Sequence, residues 1–118
     1  MNIEEFREYC LAKKGITEEF PFDEFVLVFK VMGKMFALTS VVGEFSINLK
    51  CEPGLAIELR EKYETITPGY HMNKKHWNTV DCQGGNLSEK LIREMIDHSY
   101  DLVVSRLTKK QKHELQEM

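Results

Sequence analysis

Apolar and polar residues alternate without a break from Phe45 to Cys51. Phe45, Ile47, Leu49 and Cys51 fall on one side, and Ser46, Asn48 and Lys50 on the other. Successive side chains of a strand point to opposite faces, so this pattern predicts a strand with one face on the core. Glu24 to Met32 is apolar on both sides, with Phe25, Leu27, Phe29 and Val31 backed by Val26, Val28 and Met32. That predicts a central strand covered on at least part of both faces. Met35 to Val42 reads as another strand. Gly33-Lys34 and Gly43-Glu44 read as the turns that join the three into a meander.

Helical spacing replaces alternation on either side of the meander. Asn2 to Lys14 predicts a helix, with Asn2 and Glu5 placed as a capping box and Ile3, Phe6 and Cys10 on one stripe. Gly15, after two lysines, is a stop signal. The connector Phe20-Pro21-Phe22 is expected to plug the sheet edge or core with its two rings. Pro53 suits the first turn of a second helix running to about Tyr63, with Leu55, Leu59 and Tyr63 in line. Thr67-Pro68-Gly69 breaks it. Tyr70 to Met72 and Trp77 to Cys82 read as two more strands around the turn Asn73-Lys74-Lys75-His76. Ser88 caps the last helix, with Leu87 and Ile92 placed as a hydrophobic staple. Its buried stripe is Ile92, Met95, Ile96, Ser99 and Val103, and Arg106 lies near its end. The order α-β-β-β-α-β-β-α predicts one α+β domain over residues 1–118. It has two layers, an antiparallel five-stranded sheet and helices mostly on one face.

Composition narrows the class. With 42% hydrophobic and 30% charged residues, the chain has enough apolar material for a core and too much to stay disordered. No apolar run approaches the roughly 20 residues that cross a bilayer. The acidic opening Met1-Asn2-Ile3-Glu4-Glu5 lacks a basic-then-apolar signal pattern, so a cytoplasmic protein is expected. Cys10, Cys51 and Cys82 are widely spaced and odd in number, and read as reduced, half-buried small hydrophobes.

The net charge of −3 works against binding a polyanion, but the charge is unevenly spread. Up to Glu24, acids outnumber bases. From Thr67 to Val80 there are Lys74 and Lys75 and no acid. From Ser105 to His113 there are Arg106, Lys109, Lys110 and Lys112, again with no acid. Lys109, Lys110, Lys112 and His113 form a basic tail that could meet an acidic partner or nucleic acid, or complement a helix C-terminus.

The densest chemistry lies between Thr67 and Val80, which holds His71, His76, Asn73, Asn78, Tyr70 and the chain's only tryptophan, Trp77. If Met72 pairs with Trp77, then Tyr70, Met72, Trp77 and Thr79 share one face, and His71, Asn78 and Val80 the other. Lys74, Lys75 and His76 would then stand at a tip, able to reach phosphates, with Asn78 near a groove. The competing reading places Trp77 and Tyr70 in the core and uses Asn73 and Asn78 to brace the turn. His71 and His76, even with Cys82, lack four ligands at workable spacing, so no metal is expected. In His98-Ser99-Tyr100-Asp101, neighbours on a helix diverge by about 100°, so no nucleophile–base pair is expected. Ser99 falls on the buried stripe, where a small residue permits close packing, and His98 is expected to tie the helix to the hairpin. Gly84-Gly85 is too short for a phosphate loop. No catalytic residue and no cofactor are predicted.

Five blocks carry a resemblance: F-P-F at Phe20 to Phe22, F-K-V-M-G-K-M-F-A-L from Phe29 to Leu38, and I-N-L-K-C from Ile47 to Cys51. The others are P-G-Y-H-M-N-K-K-H-W-N-T-V from Pro68 to Val80 and H-S-Y-D-L-V-V from His98 to Val104. Over nearly its full length the chain resembles the MmcQ/YjbR family, described as DNA-binding proteins with a double-wing motif. The resemblance implies a fold similar to that of secretion chaperones, α-β(3)-α-β(2)-α, and carries over no catalytic residues. It also implies a non-enzymatic DNA-binding protein. Lys74, Lys75 and His76 would form one wing, Lys34 would serve a second, and Lys109 and Lys110 would add charge. The alternative is a protein-interaction module that uses exposed apolar sheet surface at Val26, Val28 or Phe36.

Overall fold

The computed structural model, which describes every residue except His71 and Asn86, sets the predicted meander at the centre of a wider sheet. Among the described residues the chain runs α1 (Ile3–Leu11), β1 (Ile16–Glu19), β2 (Val26–Val31), β3 (Lys34–Ser40) and β4 (Ser46–Lys50). It continues through α2 (Pro53–Lys62), β5 (Ile66–Pro68), β6 (Trp77–Asp81), α3 (Glu89–Ser105) and α4 (Lys109–Gln116). The strands form one sheet in the order β1-β2-β3-β4-β6-β5, every neighbour antiparallel. The α+β class holds, with six strands where five were predicted.

Local chemistry sets most boundaries. Asn2 Oδ1 accepts the Glu5 N–H at 2.8 Å and Glu5 Oε1 accepts the Asn2 N–H at 3.1 Å, so the capping box of α1 is complete. Pro53 opens α2 as expected, but Glu52 is its cap, taking the N–H groups of Gly54 and Leu55. Those two bonds hold the Glu52 carboxyl below the usual carboxylate range. Ser88 caps α3, whose buried residues are Ile92, Met95, Ile96, Ser99 and Val103, the stripe read from spacing.

The turn from β2 to β3 is Met32-Gly33, not Gly33-Lys34. Val31 pairs with Lys34, leaving a two-residue hairpin loop with φ of 49° and 82°. Positive φ at both central residues matches the right-handed twist of the flanking strands, and glycine adopts it at little cost.

One face of the sheet carries the main core. Phe6 and Cys10 of α1 and Ile92, Met95, Ile96 and Val103 of α3 pack there on Phe29, Phe36, Ile47, Leu49 and Val80. The Phe6 ring is fully buried and meets Phe29 edge-on at 5.5 Å. A side chain of this kind contributes about 1.5–3 kcal/mol. The opposite face holds a smaller cluster of Val28, Leu38 and Trp77, partly covered by Val26, Met35 and Met72. The sequence reading of β2 as covered on both sides is therefore correct.

Several expectations change. β1 was not foreseen; it is a short edge strand along β2, and its Glu19 forms an ion pair with Lys30. The fourth predicted strand lies earlier, at Ile66–Pro68, because Ile66 is buried and pairs with Val80. Pro68 is tolerated there because an edge strand needs no N–H on its outer side. Phe20 and Phe22 do not plug the core. They are 48% and 65% exposed, since Asp23 Oδ1 accepts the Phe25 and Val26 N–H groups and turns the connector outside the sheet. The basic tail is a separate helix, capped by Thr108 in a capping box with Gln111. Lys109 and Lys110 thus sit in its first turn, at the positive end of the helix, while His113 of the same tail lies in its last turn, where a cation complements the dipole.

Candidate functional site

Antiparallel order gathers one end of β2, β3, β4 and β6 together. The Met32-Gly33 turn, the start of β3 at Lys34, the end of β4 at Lys50 and the start of β6 at Trp77 all lie at this end. The opposite ends of the same strands lead to Asp23, Glu24, Glu44 and Asp81. Apart from Glu52, which is spent capping α2 just past Lys50, the sheet sorts these basic and acidic strand ends to opposite poles.

A backbone irregularity opens the basic pole. Phe29 pairs with Ala37 and Lys30 with Met35, so Phe36 is an extra residue, a β-bulge in β3. The β3–β4 ladder runs from Thr39–Ile47 to Ala37–Leu49. At its end the fully buried Ser99 hydroxyl of α3 donates to Phe36 O at 2.5 Å and accepts the Lys50 N–H at 2.9 Å. One helical turn on, Val103 and then Arg106 border a cavity of about 410 Å³, lined also by Lys34, Met35, Lys50 and Trp77.

The charge in this cavity is one-sided. Lys34, Lys50 and Arg106 line it and no carboxylate does. Among the described residues none of the three forms an ion pair. Burial pulls the Lys50 ammonium below the ordinary lysine range, and the charges of Arg106 and Lys34 press it the same way. Like charges held together without a counter-charge favour an anion between them.

The residues singled out in the sequence separate. Lys34 lines the cavity. Lys74 is exposed, but its ammonium turns back to donate to Gly69 O at 3.2 Å. Lys75 is exposed, and its N–H donates to Asn73 Oδ1 at 3.0 Å. His76 is half-buried; its carbonyl accepts the Cys51 N–H at 2.8 Å, and its buried Nδ1 has no partner among the described residues.

Asn78 is not a groove contact. It is 2% exposed, accepts from Arg60 Nε at 2.6 Å and donates to Ala56 O at 3.5 Å. It sits on the helix-covered face and braces the loop through Arg60, which also donates to the carbonyls of Lys74 and Trp77. Trp77, 8% exposed, is core on one side and cavity wall on the other. Lys109 and Lys110 are exposed and do not line the cavity. His71 lies outside the described residues.

His98, Ser99 and Tyr100 have separate structural tasks. His98 Nε2 accepts the Glu52 N–H at 3.2 Å, tying α3 to the start of α2 rather than to the hairpin. Tyr100 donates to Lys14 O at 2.7 Å. Burial pushes the thiols up, Cys10 and Cys82 to about 12 and Cys51 to about 11, so all three stay protonated at neutral pH. Among the described residues no three His, Cys, Asp or Glu side chains converge as a metal requires, and no helix is long and apolar enough to cross a membrane.

Sequence reasoning missed Lys50 and Arg106. Lys50 read as one outward residue of an alternating strand and Arg106 as a helix end. The available signal was topological: an antiparallel meander puts the start of its second strand beside the end of its third.

The YjbR family model matches residues 11–102. The chain belongs to the YjbR family. It is 45% identical over 91 residues to YbdF of Escherichia coli O157:H7, covering 76% of this chain and 74% of that protein. It is 34% identical over 108 residues to YjbR of Escherichia coli K12, covering 91% of each. A crystal structure of a Deinococcus radiodurans protein with a DUF419 domain superposes with a TM-score of 0.91 at 38% identity, over 98% of this chain and 88% of that one. A Pseudomonas syringae protein gives 0.73 at 33% identity, over 86% and 98%. The YjbR match thus spans β1 through most of α3, including Lys34 and Lys50, and ends before Arg106.

Proposed function

We propose that this YjbR-family protein is a non-enzymatic DNA-binding protein of the cytoplasm that holds phosphates at the basic pole of its sheet. The observation that supports this reading is the convergence of Lys34, Lys50 and Arg106 on one cavity that no carboxylate lines. Lys75, exposed in the loop that precedes β6, extends the cationic surface at the same pole. The contact differs from the double-wing expectation. Lys34 keeps its role, Lys50 and Arg106 join it, and Lys74 and Asn78 serve to brace the loop. The three protonated, unpaired thiols suit a reducing compartment.

Few phosphates can be neutralised here, so affinity should be modest and strongly salt-dependent. Fluorescence anisotropy of a labelled duplex and a labelled single strand at low salt tests the reading. Lys34→Glu/Arg106→Glu should weaken binding by roughly a hundredfold, two reversed charges near phosphate. Lys74→Glu should have a smaller effect. No binding by the native protein at low salt, or equal affinity of the double variant, refutes the proposal.

A second reading rests on a different observation. The open sheet face bears a groove of about 590 Å³ bordered by Phe22, Val26, Leu38, Tyr70 and Met72, with Phe22 65% exposed. Such a face suits a partner protein. Of the residues first expected on such a surface, Val26 borders the groove, whereas Val28 and Phe36 are fully buried. Retention of a monomer by Phe22→Ser, where the native chain self-associates, would favour this second reading.

A further inference from the structure

We infer that the cavity lined by Lys34, Lys50, Trp77 and Arg106 is a pocket for a phosphomonoester carried on a pentose, the terminal phosphate of a nucleic-acid strand or a free sugar phosphate. The inference deepens the reading above and rests on it for the nucleic-acid source alone.

Three features select this ligand. The first is charge. Three cations face one space with no carboxylate in its lining. An internal phosphodiester brings one negative charge, whereas a monoester brings about −1.5 to −2 at neutral pH and three strong acceptor oxygens. The monoester therefore neutralises more of the cluster. The Arg106 guanidinium adds a planar fork of donors that fits two phosphate oxygens at once.

The second feature is shape. The site is a concavity of about 410 Å³ where β3, β4, β6 and α3 meet, within the range of small-molecule pockets. A duplex presents its diesters along a convex rod, which meets only the exposed Lys34 and Arg106 at the rim of such a space. A strand end can enter it. The third is the composition of the wall. Met35, Val103 and Trp77 give apolar surface beside the cations, suited to the carbon skeleton of a pentose. The volume exceeds what a bare phosphate fills and leaves room for the sugar.

The chain reports on this pocket itself, because Trp77 is its only tryptophan and lines the cavity. Intrinsic emission of the full chain, excited at the red edge of the tryptophan band, is followed at low salt. The probes are ribose 5-phosphate, inorganic phosphate and dimethyl phosphate. Ribose 5-phosphate should give a saturable change, with dimethyl phosphate roughly tenfold weaker, as the lost charge requires. Lys34→Gln and Arg106→Gln should each weaken ribose 5-phosphate by a similar factor. Both side chains are exposed enough that their thermal unfolding should match the native chain. Lys90→Gln, at the far end of α3, is the control and should bind normally.

A second arm compares one single-stranded oligonucleotide with and without its 5′-phosphate by anisotropy. Tighter binding of the phosphorylated strand assigns the pocket to strand ends. If ribose 5-phosphate saturates but neither oligonucleotide binds, the pocket stands with a free sugar phosphate as its ligand, and the DNA-binding proposal falls. If both oligonucleotides bind equally and ribose 5-phosphate gives no saturable change, the pocket is refuted and the DNA-binding proposal stands. Equal response to monoester and diester, or undiminished binding by Arg106→Gln, also overturns the inference.

Discussion

Ser99 joins two strands that have no ladder bond between them at that level, donating to Phe36 O and accepting from Lys50 N–H. Ser99→Ala would leave a buried carbonyl and an N–H without a partner in the same small space. Unsatisfied buried polar groups cost about 1–3 kcal/mol each, so urea unfolding should show a loss of at least about 1 kcal/mol. The Lys50 backbone would lose its anchor, and ribose 5-phosphate should bind more weakly to this variant. A stability change below the error of the unfolding curve would show that the hydroxyl bridge is dispensable. Burial of Ser99 was legible from its place on the stripe of α3. Its hydrogen bonds were not, because they depend on a bulge in β3 that no residue pattern near Ser99 encodes. Asn78 shows the converse. Its neighbours suggested a surface contact, while its partner Arg60 lies on a different element.

At the scale of elements, those legible in the sequence carry their own boundary signals: the capping box of α1, Pro53 of α2, Ser88 and the five-residue stripe of α3, and the alternation of β4. β1 and β5 carry none, since each is a short edge strand specified by the neighbour it pairs with. α4 was hidden for a related reason. Only Leu115 within it is buried, and it docks against the far end of the chain. That contact gives a test. Gly15 has φ of 74°, and a Cβ there would stand 2.6 Å from Leu115 Cδ1. Gly15→Ala would add left-handed backbone strain of about 1–2 kcal/mol to an overpacking cost of about 1–3 kcal/mol. Leu115→Ala alone would lose about 2–5 kcal/mol by leaving a cavity. The new methyl would partly fill that space, so the double variant should be more stable than the two losses predict when added. Simple additivity in urea unfolding would mean that α4 does not rest on Gly15.

For the whole molecule, the separation of charge explains how a chain with net charge −3 can offer a polyanion a foothold. Lys34, Lys50 and Arg106 stand at one pole of the sheet, and the strand ends near Asp23, Glu24, Glu44 and Asp81 at the other. The acidic pole repels phosphate, so approach is favoured in one orientation and the number of contacts is capped. That cap is measurable. Each phosphate neutralised on duplex DNA releases counterions and contributes about −0.9 to the slope of log K against log salt. Contacts from the exposed Lys34, Arg106 and Lys75 would give a slope of about −3, far shallower than that of a large repressor. Arg106→Gln should reduce the magnitude of the slope by about 1, as the loss of one phosphate contact requires. Lys109→Gln/Lys110→Gln should leave it unchanged, because neither side chain lines the cavity. If the α4 pair flattens the slope and Arg106→Gln does not, phosphate is held by the terminal helix, and the basic pole of the sheet has no part in binding.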